Sequence, residues 1–119
     1  MFKDLLKKIA ANIPGVRGCV LLDSAAIPVA ELYLDDDPGA VQALAVELST
    51  LIWSLRRRQT LTHDIGTIEE MFLRTSWTVA LCRVIAQEYI LLITVDQGED
   101  VDQFQSMMRL LSPWVDEQL

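Results

Sequence analysis

Few residues in this chain are of the types that do chemistry. His63 is the single histidine, and Cys19 and Cys82 are the only cysteines. Alone in a polar link, His63 reads as a solvated loop residue and not as a catalytic base. No Ser/His/Asp set is suggested by the order of residues. The cysteines form no CxxC pair and each sits in an apolar, strand-like run, which reads as a buried reduced thiol and not a disulfide or a metal ligand. A zinc site would need ligands the chain lacks. Two acidic clusters, Asp35-Asp36-Asp37 and residues 96–102, could hold a hard cation, but neither has EF-hand spacing and helix-start electrostatics accounts for both. Arg56, Arg57 and Arg58 could meet an acidic partner or lend an arginine to a neighbour's phosphate site. They also suit the negative end of a helix. The chain contains neither GxxxxGK[ST] nor GxGxxG, so it lacks both phosphate-cradling loops. No catalytic, cofactor-binding or metal site is expected, and the reading is of a protein that is not itself an enzyme.

Charge and composition narrow the partners. The formal charge is −7, with ten acidic against three basic residues in positions 61–119. Such a chain repels phosphate backbones and anionic membrane surfaces, so nucleic-acid binding is disfavoured. With 119 residues, 51% of them hydrophobic, the chain suits one domain with a true core. Its apolar runs fall well short of the roughly 20 residues that cross a bilayer. The start, MFKDLLKK, alternates charge with apolar residues as a helix does and a signal peptide does not, so no membrane insertion and a cytoplasmic location are expected.

The elements follow from periodicity. Phe2, Leu5, Leu6, Ile9 and Ile13 recur at helical spacing before Pro14-Gly15. Residues 16–23 and 27–34 read as a hairpin of two strands. Its connection, Asp23-Ser24-Ala25-Ala26, lacks the usual Gly or Asn. Either an alanine takes a left-handed conformation at roughly 1 kcal/mol of strain, or the turn is built around a type I bend. Asp37 and Pro38 open a second helix, expected to run to about Arg58. Its main stripe is Val41, Leu44, Ala45, Leu48, Leu51, Ile52 and Leu55. A second seam, Gln42, Val46, Ser49, Thr50 and Trp53, lies on another face and is expected to be covered by something else. After a polar link over residues 60–64, strands are expected at 66–74, 77–86 and 88–95. The first is mixed and charged, as sheet edges are. The last two are apolar on both faces, so the sheet must be covered on both. A final helix carries Val101, Phe104, Met108, Leu111 and Val115, with Pro113 expected to kink or end it. The order is αββαβββα: an α+β fold with a five-stranded antiparallel sheet, one helix on one face and two on the other.

That order, with GVRGCVLLDSAAIPVAE, the long AVQALAVELSTLIWSLRRR helix and EYILLITVD before the last helix, resembles the roadblock/LC7 family over nearly the whole chain. The resemblance implies a small homodimer in which two sheets join edge to edge through the third strand while the second helices pack side by side. It assigns Thr67, Glu69, Met71 and Leu73 to the shared edge, and Gln42, Val46, Ser49, Thr50 and Trp53 to the helix seam. It further implies a regulator or scaffold of a Ras-like small GTPase, as in the prokaryotic, MglB-like members. Some of these act as GTPase-activating proteins on the partner's own catalytic residues. The family usually has glycine where this chain has Ala25-Ala26. The alternative from the fold plan alone is a small-molecule-binding sensory module like PAS, GAF or longin domains.

Overall fold

The computed structural model describes residues 2–34, 37–98 and 100–119. Asp35, Asp36 and Glu99, and with them parts of both acidic clusters, lie outside the described residues. The elements are α1 (Phe2–Asn12), β1 (Val16–Leu22), β2 (Pro28–Tyr33), α2 (Pro38–Arg56), α3 (Gln59–Ile65), β3 (Glu70–Arg74), β4 (Thr78–Ile85), β5 (Tyr89–Asp96) and α4 (Val101–Gln118). The strands form one antiparallel sheet in the order β2-β1-β5-β4-β3. Among the described residues, no helix is long and apolar enough to cross a membrane.

Side-chain alternation divides the core in two. Cys19, Leu21, Leu81, Leu91 and Ile93 point to the face covered by α1 and α4, against Leu6, Ile9, Phe104, Met108 and Val115. Val20, Leu22, Ala80, Cys82, Ile90 and Leu92 point to the face covered by α2, against Val41, Ala45 and Ile52. The expected layers are therefore present, and the two cysteines are buried free thiols on opposite faces. Burial pushes both up from an ordinary value of 9.0 to about 12.

The helix ends explain where the chain departs from expectation. Asp37 caps α2 through Oδ1, which accepts from Gly39 N at 2.9 Å, and Pro38 takes the first turn. The helix stops at Arg56, two residues early, because Arg58 is extended (φ −80°, ψ 98°). The Thr62 hydroxyl then donates to Arg56 O at 3.2 Å, and the expected polar link folds as α3. Gly66, at φ +89°, ends it. The third strand consequently begins at Glu70, and α4 continues through Pro113 to Gln118.

Both alternatives for the first turn hold together. Ala26 N donates to Asp23 O at 3.0 Å and Asp23 N to Ile27 O at 3.0 Å, a three-residue loop closed by Ala26 at φ +59°. Asp23 Oδ1 supports it by accepting from Ala25 N and Ile27 N. The β4–β5 turn places two non-glycine residues, Ala86 and Gln87, at φ +52° and +62°. It is held from outside by Asp116, which accepts from Ala86 N at 2.9 Å, and by Arg56, which donates to Gln87 Oε1 at 2.6 Å.

Candidate self-association surface

The phase of α2 decides what the molecule presents. Its fully buried residues are Val41, Ala45, Ser49 and Ile52. On a helix turning about 100° per residue, these define one narrow inward line. Ser49, expected on the outer seam, is 0% exposed, and its Oγ has no hydrogen-bond partner among the described residues. The seam is corrected at that residue: it faces the sheet.

The rest of the expected seam lies on the β2 side of α2. Gln42 donates to Glu31 of β2. Trp53 is half-buried, and its Nε1 donates to Asp23 O in the first turn at 3.3 Å. The Arg56 guanidinium lies 5.6 Å from the Trp53 ring centroid. Val46 is half-buried between them, and Thr50 is exposed, its hydroxyl bonded back to Val46 O. Trp53 is thus largely satisfied within its own chain. Arg56 is as well: Nη1 donates to Ile68 O at 2.7 Å and Nη2 to Gln87. Of the three arginines, Arg57 and Arg58 remain exposed at the helix end.

The opposite flank of α2 carries Leu44, Leu48, Leu51 and Leu55, the residues expected to form most of the core stripe. Leu51 is 45% exposed and the other three are half-buried. Leu44 shares a cleft of about 250 Å³ with Thr75 and Trp77 of the β3–β4 connection and Thr78 of β4, so this flank faces the β3 side of the sheet. Trp77 itself is 85% exposed.

The β3 edge is unpaired in the single chain. Val84 N donates to Glu69 O and Thr75 N to Thr78 O, both at 2.9 Å. The odd-numbered residues of β3 therefore bond to β4, and the backbone groups of Glu70, Phe72 and Arg74 face outward. Met71 and Leu73 join the core face under α2, whereas Phe72 packs towards α4. Of the residues assigned to the shared edge, Met71 and Leu73 lie on β3 and Glu69 continues its ladder. Thr67 is exposed in the lead-in. The leucine flank, through Leu44, thus lies on the side of α2 where the chain leaves β3, whereas Gln42 and Trp53 bond to the β1–β2 hairpin.

His63, on α3, contacts Asp64 at 3.1 Å and is exposed, and no cluster of three or more potential metal ligands occurs among the described residues. The α2 side of the sheet is filled by fully buried aliphatic side chains.

No protein-family model matches the sequence, and no curated protein does. Solved structures do match. A roadblock/LC7 domain from Streptomyces avermitilis superposes with a TM-score of 0.77 at 17% identity, covering 98% of this chain and 95% of that one. The gliding protein MglB from Thermus thermophilus has a TM-score of 0.77 at 11% identity, covering 96% and 84%. An MglB in a tetrameric arrangement has a TM-score of 0.76 at 11% identity, again covering 96% and 84%. The chain has the roadblock/LC7 fold.

Proposed function

We propose that this chain is a non-enzymatic, homodimeric regulator or scaffold of a Ras-like small GTPase. The observation that carries the self-association is the shared side of the leucine flank and the open β3 edge. An exposed Leu51, on the flank whose Leu44 faces the β3–β4 connection, and an unpaired strand together make a surface that a second copy would cover. The strand is also complementary to itself. An antiparallel pair centred on Phe72 sets Phe72 opposite its symmetry mate, Met71 opposite Leu73, and Glu70 opposite Arg74. In that register the outward-facing backbone groups of all three even residues find partners. A two-fold axis normal to the sheet keeps both α2 helices on one face and sets their leucine flanks side by side.

The GTPase partner is what the roadblock/LC7 resemblance implies for a chain of this fold, supported by the likeness to MglB. Arg56 is engaged within its own chain through Ile68 O and Gln87, so it is held back from a partner's phosphate site, in keeping with activation through the GTPase's own residues. Light scattering should give two subunits, and Leu51→Glu should give one without loss of helix content. Mixed with the small GTPases encoded beside it, the chain should form a complex on gel filtration and alter the rate of GTP hydrolysis or anchor the GTPase. If it binds none of them in either nucleotide state, the regulator reading is wrong.

A further inference from the structure

Two large side chains on the β3 side remain almost bare in a single copy: Trp77, 85% exposed, and Ile65 at the end of α3, 72% exposed. They sit at opposite ends of β3. Trp77 follows its C-terminal end and walls the cleft with Ala40, Val41, Leu44 and Thr78 at the N-terminal end of α2. Ile65 precedes its N-terminal end, on a helix that packs chiefly on the far end of α2. Within one chain neither can cover the other.

The two-fold pairing brings these ends together. Residues 65–68 of one copy extend beyond Glu70 in the direction that Thr75 to Trp77 extend beyond Arg74 in its mate. The antiparallel α2 helices set the α3 end of one beside the cleft end of the other. We propose that α3 is a clamp between subunits: Leu61 and Ile65 of each copy seat in the Trp77 cleft of the second. The contact occurs twice, once at each end of the interface. Charge agrees with this occupant. Arg57 and Arg58, exposed and without an ion pair among the described residues, arrive beside the exposed Asp37 that opens the other copy's α2. The inference rests on the self-association reading, and it explains why α3 is folded although its own chain buries none of its residues fully.

The test is a double variant, Ile65→Cys with Trp77→Cys, treated with a short bismaleimide in the intact protein. Cys19 and Cys82 are buried and do not compete. A covalent dimer should form with the double variant and not with either single variant, because two copies of one position lie at opposite ends. Independently, Ile65→Ser and Trp77→Ala should each raise the dimer dissociation constant about tenfold with unchanged circular dichroism, the loss of a partly desolvated apolar contact. A double variant that sediments as a dimer but does not cross-link overturns the clamp and leaves self-association standing. A protein that is monomeric at every concentration overturns both.

Discussion

Replacing Arg74 with glutamate tests the register of the paired edge. Arg74 is exposed and makes no ion pair among the described residues, so the single copy should lose less than about 0.5 kcal/mol. In the dimer the side chain would stand opposite Glu70 of the other copy, and symmetry repeats the pair. A directly opposed pair of opposite charge contributes about 0.5 kcal/mol, and like charges cost a similar amount. Each pair therefore swings by about 1 kcal/mol and the dimer by about 2, close to a thirtyfold rise in dissociation constant. Glu70→Arg should do the same with two arginines, with a further small cost from losing its 2.7 Å bond to Arg83. A mixture of the two variants restores both opposed pairs. The heterodimer should then be favoured over the two homodimers by an exchange constant on the order of 10³. Sedimentation equilibrium on each variant and on the mixture, at low salt and again at about 1 M salt, reads this directly, because screening should erase most of the difference. If Arg74→Glu dimerises like the parent at low salt, or the mixture shows no preference, the strands do not pair about Phe72.

Three further outcomes follow from the same geometry. Ser49→Ala removes a buried hydroxyl that has no partner among the described residues and should stabilise the fold by about 1 kcal/mol in denaturant titration; a loss of stability would place an unseen acceptor beside Oγ. Trp53→Glu breaks a half-buried contact under Arg56 and the bond to Asp23 O, and should lower stability by about 2 kcal/mol or more while the folded fraction keeps its subunit number; a well-folded monomer would return Trp53 to the interface. Both cysteines should resist thiol reagents at pH 8. Because burial raises them from 9.0 to about 12, the folded state favours the neutral thiol, so that their contribution to stability is full below about pH 9 and is lost as pH rises towards 12.

The sheet was legible because its strands carry an unambiguous signal. Residues 78–85 and 89–96 are apolar on both faces, which demands a central position and two covering layers. Asp37-Pro38 and Pro14-Gly15 marked helix ends by their own backbone chemistry. The short helix α3 carried no such mark. Arg58, at its start, makes no side-chain cap, and the Thr62 hydroxyl instead reaches back to Arg56 O, three residues before the helix begins. The β4–β5 turn was similarly silent, since Ala86 and Gln87 are held left-handed by Asp116 and Arg56 from distant elements.

The expected stripe of α2 is core at Val41, Ala45 and Ile52, with Leu44 and Leu48 packed against it, and the sheet below explains why its leucine edge stops short of full burial. Leu44, Leu48, Leu51 and Leu55 form the best apolar ridge in the segment, and read alone it belongs in a core. But β1 presents Gly18 under the start of the helix. A Cβ there would come within 3.2 Å of Thr94 Oγ1 and 3.4 Å of Val41 Cγ1, so the helix already lies close to bare backbone. Close approach favours small inward residues, and Ala45 and Ser49 take those positions. The leucines are then left half-buried at the margin of that core, with Leu51 exposed. A lone domain gains nothing from such an exchange, because it exposes the larger side chains. It becomes favourable when a second surface covers the ridge, and the open, self-complementary β3 edge lies next to it.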